Sequence, residues 1–237
     1  MTKPISVHLG RRLLAEFVGS LFLAAVVVGS GIAAQNLSPH NIGIELLENA
    51  AATAVALYAL IAALGPVSGA YFNPIVSIID AGFGRLLWRD VPWYVITQVI
   101  GCSSGAVLAN LMFSTSAITL STHNRASGAH LLAEVVATAG LVLIIFSLTQ
   151  SRRADLCAAA VGSYIGAAYF FTSSTSFANP AITVGRMLTN SFAGIAPSSV
   201  LGFIAAQLLG AVLGGLIVLA LYPRKDNNAN FSTEVSP

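Results

Sequence analysis

Two Asn-Pro pairs, Asn73-Pro74 and Asn179-Pro180, constrain the fold of this chain more than any other feature. Asn is a favourable helix N-cap, and Pro fits the first helical turn because the N–H that it lacks has no intrahelical partner there. Each pair therefore predicts the start of a helix. The apolar stretches that follow are short, and we expect half-helices over 73–82 and 179–190. Two short, capped helices in an apolar chain indicate a membrane site built from discontinuous helices.

Six longer apolar segments predict that the chain crosses a membrane. The chain is 56% hydrophobic and only 8% charged, whereas a soluble domain averages about 25% charged residues. Each segment has roughly the 20 residues that are needed to cross a bilayer. The segments are Leu13–Ala34, Ile44–Leu64, Val91–Phe113, Ala129–Thr149, Ala154–Thr172 and Val200–Tyr222. The sequence thus predicts an all-α integral membrane protein with six transmembrane helices and two re-entrant half-helices.

The segments form an internal repeat. Ala15-Glu16 in the first segment matches Ala133-Glu134 in the fourth, and Gln98–Gly101 in the third matches Gln207–Gly210 in the sixth. Each half holds three segments, an odd number, so the second half must insert upside down relative to the first. The two half-helices then enter from opposite faces and meet near the midplane.

This repeat divides the chain into five parts. The predicted parts are an N-terminal arm over 1–12, a first repeat over 13–113, a connecting loop over 114–128, a second repeat over 129–222 and a tail over 223–237.

The distribution of basic residues predicts the orientation. On one predicted side lie Lys3, Arg11, Arg12, Arg85, Arg89, Arg152, Arg153, Arg224 and Lys225. Only Arg125 and Arg186 fall on the other side. Because basic loops stay in the cytoplasm, both termini are expected to be cytoplasmic.

Asn73 and Asn179 are the strongest candidates for contact with a solute. The N-terminal end of a helix carries unpaired N–H groups and a partial positive charge. Two such ends that face each other would repel cations, protons included, and the Asn amides would donate hydrogen bonds to a passing oxygen. The alternative is that both residues only cap their helices.

Glu16 and Glu134 place a carboxyl group inside a membrane segment, which is costly and is usually tied to a function or a partner. One interpretation makes them proton relays of a carrier. The other makes them structural anchors that accept hydrogen bonds from the backbone of the two re-entrant loops, with assistance from Gln98 and Gln207. We favour the anchoring role.

The sequence offers little support for other classes of protein. The net charge of +2 is too small to indicate nucleic-acid binding. Cys102 and Cys157 lie in apolar runs without the spacing of a disulfide framework or a metal site. No nucleophile constellation or phosphate-binding loop is present, so we expect neither an enzyme nor a cofactor.

Taken together, the paired Asn-Pro, Ala-Glu and Gln-x-x-Gly segments resemble the aquaporin (major intrinsic protein) family over about residues 11–222. The resemblance implies a homotetramer in the lipid bilayer with one pore in each subunit. It also implies passive transport of water or small neutral solutes.

The family's pore positions can be placed on this sequence by counting from the Asn-Pro units. Besides Asn73 and Asn179, they are Pro74, Ile75, Pro180, Ala181, Thr53, Ala167, Ser176 and Ile182. Two of them depart from the family pattern. Ile75 replaces an alanine, and Ile182 replaces the arginine that narrows the outer filter. Arg186 lies one helical turn further along and is not expected to substitute for it, so the sequence predicts a wide, uncharged, half-apolar filter.

This pattern is similar to that of bacterial family members associated with arsenic resistance, including the run Phe177–Ala181. It implies a bacterial inner-membrane channel for glycerol, arsenite-like hydroxides and other small uncharged molecules. The alternatives are a proton-coupled secondary carrier that uses Glu16 and Glu134, or an ion-conducting channel of the same fold.

Overall fold

A computed structural model of the protein describes residues 7–222. In this part of the chain, six helices are long and apolar enough to cross a membrane, and two more are short. The elements are α1 (Leu9–Leu37), α2 (Ile42–Ser68), α3 (Pro74–Gly82), α4 (Val91–Met112), α5 (Gly128–Gln150), α6 (Cys157–Phe171, preceded by a 3-10 turn over Ala154–Leu156), α7 (Pro180–Arg186) and α8 (Pro197–Leu221). The predicted fold class is confirmed. The tail over 223–237 and the first six residues of the predicted arm lie outside the described residues.

α1 and α2 both extend beyond their predicted ends. α1 begins inside the predicted arm because the His8 side chain caps it, accepting the Gly10 N–H at 3.2 Å. α2 continues beyond Leu64, the predicted end of the segment, passes through Pro66 and stops only at Ser68. Gly69 then adopts a left-handed φ of 95° and donates its N–H to the Gly65 carbonyl, which closes the helix.

α7 is shorter than the predicted half-helix, which was expected to reach residue 190. It ends at Arg186 because the backbone that follows bonds to other parts of the chain. The Leu188 carbonyl accepts the Thr119 N–H at 3.1 Å and the Asn110 side-chain amide at 3.0 Å. The connecting loop therefore crosses over the end of this helix and holds it in place.

Small residues bring the long helices together in the same way in both repeats. A Cβ added to Gly105 of α4 would lie 2.1 Å from the Leu21 carbonyl oxygen of α1. Correspondingly, a Cβ on Gly214 of α8 would lie 2.5 Å from the Ala139 carbonyl oxygen of α5. Backbones this close exclude any larger residue, as is common where membrane helices pack on one another. The paired contacts α1 with α4 and α5 with α8 give each repeat the same frame.

Candidate pore

The two short helices start side by side at the centre of the protein. The Asn73 amide nitrogen donates to the Ala178 carbonyl at 2.8 Å, and the Asn179 amide nitrogen donates to the Phe72 carbonyl at 2.8 Å. Each Asn side-chain oxygen caps its own helix by accepting the N–H of Ile75 or Ala181. Each Asn therefore caps one helix and binds the loop that leads into the other.

Glu16 holds the loop before α3 in place. Its carboxylate accepts four hydrogen bonds, from the Ser68 hydroxyl at 2.6 Å, the Tyr71 N–H at 3.0 Å, the Phe72 N–H at 2.8 Å and the Gln98 amide at 2.8 Å. Its side chain is fully buried. Every donor is a group of the loop or of a neighbouring helix, so the carboxylate has no exposed oxygen.

Glu134 holds the loop before α7 with the same geometry. Its carboxylate accepts from the Ser174 hydroxyl at 2.6 Å, the Phe177 N–H at 2.9 Å, the Ala178 N–H at 2.9 Å and the Gln207 amide at 2.6 Å. The two networks match residue for residue along the repeat.

Sequence reasoning missed four hydroxyl residues in these networks. Ser68 and Ser174 lie five residues before the two Asn residues and bond to the two carboxylates. Ser77 and Thr183 lie four residues after them, accept from Gln98 and Gln207, and donate to the carbonyls of Asn73 and Asn179. Their equal offsets from the two Asn-Pro pairs were the available signal.

The loops that lead into the short helices carry non-glycine residues with left-handed backbone. Ala70 and Phe72 have φ of 51° and 49°, and Ser176 and Ala178, at the equivalent positions, have φ of 49° and 46°. Such residues are uncommon and persist only where the surroundings impose them. Here the carboxylates bind the N–H groups from one side and the Asn amides bind the carbonyls of Phe72 and Ala178 from the other.

A cavity of about 500 Å³ is lined by residues from both ends of the molecule and from its centre. Among the predicted pore residues, Asn73, Asn179, Thr53, Ser176 and Ile182 line it. Aliphatic side chains of the long helices cover much of the remaining wall, including Leu23, Val27, Leu57, Leu141 and Ile165. The cavity therefore presents a few hydrogen-bonding groups against an apolar wall.

Ala167, which the sequence predicted as a filter residue, does not line this cavity. It is exposed on the outer side of α6, whereas Tyr169 lines the cavity and is 2% exposed. The Tyr169 hydroxyl lies 3.2 Å from the Thr53 hydroxyl, within hydrogen-bonding distance. Two positions along a helix rotate a side chain by roughly 200°, so a small counting error moved the prediction to the opposite face.

Pro74, Ile75, Pro180 and Ala181 are buried but are not part of the cavity wall. Ile75, the larger residue in the first unit, packs in a cluster with Val142, Phe146 and Ala211 instead. Its bulk therefore fills the space between α3 and helices α5 and α8.

Arg186 lines the cavity one helical turn beyond Ile182, so the filter region is not uncharged as the sequence predicted. Its side chain is 2% exposed and its Nε donates to the Ala193 carbonyl. The guanidinium carbon lies 3.4 Å from the centroid of the Phe177 ring, a cation–π contact. Residues four apart on a helix share a face, which is why Arg186 points into the same space as Ile182.

At the opposite end of the cavity, the carboxylate of Asp80 is neutralised by Arg85. Asp80 accepts from the Arg85 Nε at 2.8 Å and from the Tyr71 hydroxyl at 2.5 Å. Arg85 also packs over the rings of Phe83 and Phe146. Among residues 7–222, no three His, Cys, Asp or Glu side chains are grouped so that they could hold a metal ion.

A profile of the major intrinsic protein family matches residues 4–176 and 157–237, which together cover nearly the whole chain. This chain belongs to the major intrinsic protein family. The family predicted from the paired motifs is confirmed. Major intrinsic proteins are passive channels, which also agrees with the prediction that this chain is not an enzyme.

Several relatives of this major intrinsic protein span almost its full length. The aquaglyceroporin AqpS of Rhizobium meliloti (strain 1021) is 44% identical over 97% of this chain and 98% of that protein. The probable glycerol uptake facilitator protein of Thermotoga maritima is 27% identical over 88% of this chain and 97% of that protein. Aquaporin NIP1-1 of Arabidopsis thaliana is 29% identical over 90% of this chain and 74% of that protein.

A solved structure supports the same fold for this major intrinsic protein. The X-ray structure of the aquaglyceroporin from Plasmodium falciparum aligns with a TM-score of 0.68 at 18% identity, covering 91% of this chain and 96% of that one.

Proposed function

We propose that this protein is a passive channel for glycerol, arsenite-like hydroxides and other small neutral solutes, and also for water. The observation that carries the proposal is the cavity. It is lined by both helix-capping Asn residues and by residues from both ends of the molecule. The relatives named as aquaglyceroporins and as a probable glycerol uptake facilitator support the same class of solute.

The centre of the cavity is suited to a neutral solute that carries hydroxyl groups. Each Asn amide donates one N–H to a loop carbonyl, which fixes the orientation of the amide, and both side chains line the cavity. The aliphatic wall contacts the apolar side of the solute. The two helix starts carry partial positive charge and oppose the entry of cations.

The filter region supports passage of solutes that are larger than water. Thr53, Ser176 and Ile182 are the side chains at the predicted filter positions that line the cavity, and none of them is aromatic or charged. Tyr169 adds one aromatic ring, and Arg186 adds a charge one turn away from Ile182.

The contacts of the buried carboxylates argue against a proton-coupled carrier. Glu16 and Glu134 each accept four hydrogen bonds, and neither lines the cavity. A proton relay needs a carboxylate that can exchange protons with the transport path, so these contacts support the anchoring role for both residues, with Gln98 and Gln207 as their helpers.

The rest of the proposal concerns the setting of the channel. We place both termini in the cytoplasm and the Arg186 end of the cavity outside, because basic residues are concentrated on the other side. The bacterial inner membrane agrees with the bacterial relatives. A homotetramer follows from the family resemblance.

Stopped-flow measurements on proteoliposomes test the proposal. Vesicles with the protein should swell in gradients of glycerol or urea and take up arsenite faster than protein-free vesicles, with or without a pH gradient. Passage of water without any larger solute would refute the solute class. A flux that depends on the proton gradient would support the carrier instead, and single-channel currents in planar bilayers would support an ion channel.

A further inference from the structure

Arg186 is a buried cation that no carboxylate of the described chain neutralises. Within residues 7–222, the arginines in ion pairs are Arg12, Arg85 and Arg89. Arg186 instead donates its Nε–H to the Ala193 carbonyl and stacks on Phe177. A guanidinium group has five N–H donors, and its two terminal NH₂ groups make no hydrogen bond within the described residues.

The position of Arg186 differs from the equivalent position in the first repeat in how its charge is paired. Arg186 and Asp80 are equivalent, each seven residues after its Asn. Phe177 and Tyr71, the aromatic neighbours of these two charges, are equivalent as well. Asp80 is neutralised by Arg85 and bonded by Tyr71, whereas Phe177 offers Arg186 only a ring face. Asp80 is therefore paired with a residue of opposite charge, and Arg186 is not.

A second arginine, Arg125, increases the positive charge around Arg186. The guanidinium carbon of Arg125 lies 5.4 Å from the centroid of the same Phe177 ring, and its nitrogens donate to the carbonyls of Gly194 and Phe192. Glu134 is the nearby carboxylate, but its oxygens accept from loop and glutamine donors. Two cations against one carboxylate leave a local excess of one positive charge.

A second donor, on the residue that precedes Phe177, lacks a partner. The Ser176 hydroxyl is buried, with its residue 3% exposed, and it makes no hydrogen bond. Among the buried side-chain oxygens without a partner in the described chain, it is the one whose residue lines the cavity. Buried polar groups are normally paired, so an unpaired one in a cavity wall points to a ligand. At the equivalent position the first repeat has Ala70, which has no hydroxyl.

We propose that this end of the cavity binds a small monovalent oxoanion, with Arg186 as the counter-charge and the Ser176 hydroxyl as a further donor. The planar fork of a guanidinium matches the two oxygens of a carboxylate-like ion in a way that a spherical halide does not. The local excess of one positive charge suits a single negative charge. The site goes beyond the proposed transport of neutral solutes, since a bound anion would obstruct their path.

Formate is the probe, and chloride at equal ionic strength is the reference. For the purified protein in detergent, sodium formate at millimolar concentrations should raise the melting temperature relative to sodium chloride, because a ligand of the folded state stabilises it. In proteoliposomes, external formate should slow glycerol flux, and raising the glycerol concentration should relieve the inhibition. Arg186→Gln should abolish both effects, and Ser176→Ala should weaken formate binding several-fold.

Arg85→Gln is the matched control. Arg85 lines the same cavity but is paired with Asp80, so this variant should keep the response to formate. If formate and chloride act alike on the native protein, or if Arg186→Gln retains the formate effect, the proposal is wrong. If Arg186→Gln does not fold, the native comparison and Ser176→Ala decide. A formate effect on melting without any glycerol flux would sustain this site and refute the proposed passage of glycerol instead.

Discussion

The ring of Phe72 occupies the space that a side chain on Gly19 would need. A Cβ built on Gly19 would lie 1.9 Å from the Cε1 atom of Phe72. In the second repeat Ala137 stands at the position equivalent to Gly19, and Ala178 stands at the position equivalent to Phe72. The helix there carries a methyl group, and the loop has no ring. The two repeats fill the same position beside the short helix with opposite choices of size.

This relationship predicts a pair of compensating substitutions. Gly19→Ala should destabilise the protein by about 1–3 kcal/mol or more, the usual cost of overpacking a core. Gly19→Ala combined with Phe72→Ala should recover much of the loss, because it recreates the pairing of the second repeat. Melting temperature and the yield of monodisperse protein are the measurements. A double variant no better than Gly19→Ala alone would contradict the prediction.

The buried carboxylates give a second prediction. Glu16→Gln or Glu134→Gln replaces an acceptor oxygen with an NH₂ group that faces loop donors, and each buried donor left unpaired costs about 1–3 kcal/mol. We expect a large loss of folded protein, with unchanged selectivity in the fraction that folds. Glu48→Gln is the control, since Glu48 accepts a single hydrogen bond, from Ser38. A stable Glu variant whose flux loses a dependence on the proton gradient would favour the carrier.

Ile182 gives a third prediction. Ile182→Arg should place a second guanidinium group one turn from Arg186, which narrows the cavity and doubles the charge there. We expect glycerol flux to fall about tenfold, equivalent to roughly 1.4 kcal/mol in the barrier, with a smaller effect on water. Ile182→Val should change neither flux greatly. Unaltered glycerol flux in a folded Ile182→Arg protein would mean that Ile182 does not form the constriction.

A fourth prediction uses the cysteines. Cys157 lines the cavity near Thr149 and Asp155, whereas Cys102 is fully buried and does not line it. A membrane-permeant benzyl methanethiosulfonate should therefore lower solute flux by attaching its ring to Cys157. Cys157→Ser should protect the channel, and Cys102→Ser should leave it sensitive. The opposite pattern of protection would place the transport path elsewhere.

The orientation gives a fifth prediction. In a background without cysteines, His40→Cys and Ser151→Cys introduce thiols at exposed turns that follow α1 and α5. An impermeant maleimide applied to intact cells should label position 40 and not position 151. Labelling of position 151 alone would reverse the assignment of the cytoplasmic side.

The sequence predicted the features that depend on composition and on direct repetition. Segment length and low charge give the six long helices, and the Asn-Pro pairs give the starts of both short ones. The helix ends were harder to place, because Pro66 sits in a last turn that Gly69 closes and α7 ends where the connecting loop crosses it.

The wall of the cavity was predicted less well for a geometric reason. Counting from a motif tracks distance along the chain, whereas the wall depends on rotation about each helix. Ala167 was chosen in place of Tyr169, and Arg186 was set aside although it shares a helix face with Ile182. The presence of a charged side chain on the cavity wall could therefore be recognised only from the three-dimensional structure.

The crossed hydrogen bonds from the Asn73 amide to the Ala178 carbonyl and from the Asn179 amide to the Phe72 carbonyl set an order of assembly. During synthesis the first short helix is made long before residue 178 exists, so its Asn side chain has no acceptor from the second repeat. The first re-entrant loop must wait, held by Glu16 and other groups of its own repeat, until the fifth long helix and the loop after it have inserted. The pore centre is then completed by the mutual closure of two half-sites, and a chain interrupted before residue 179 has no finished pore.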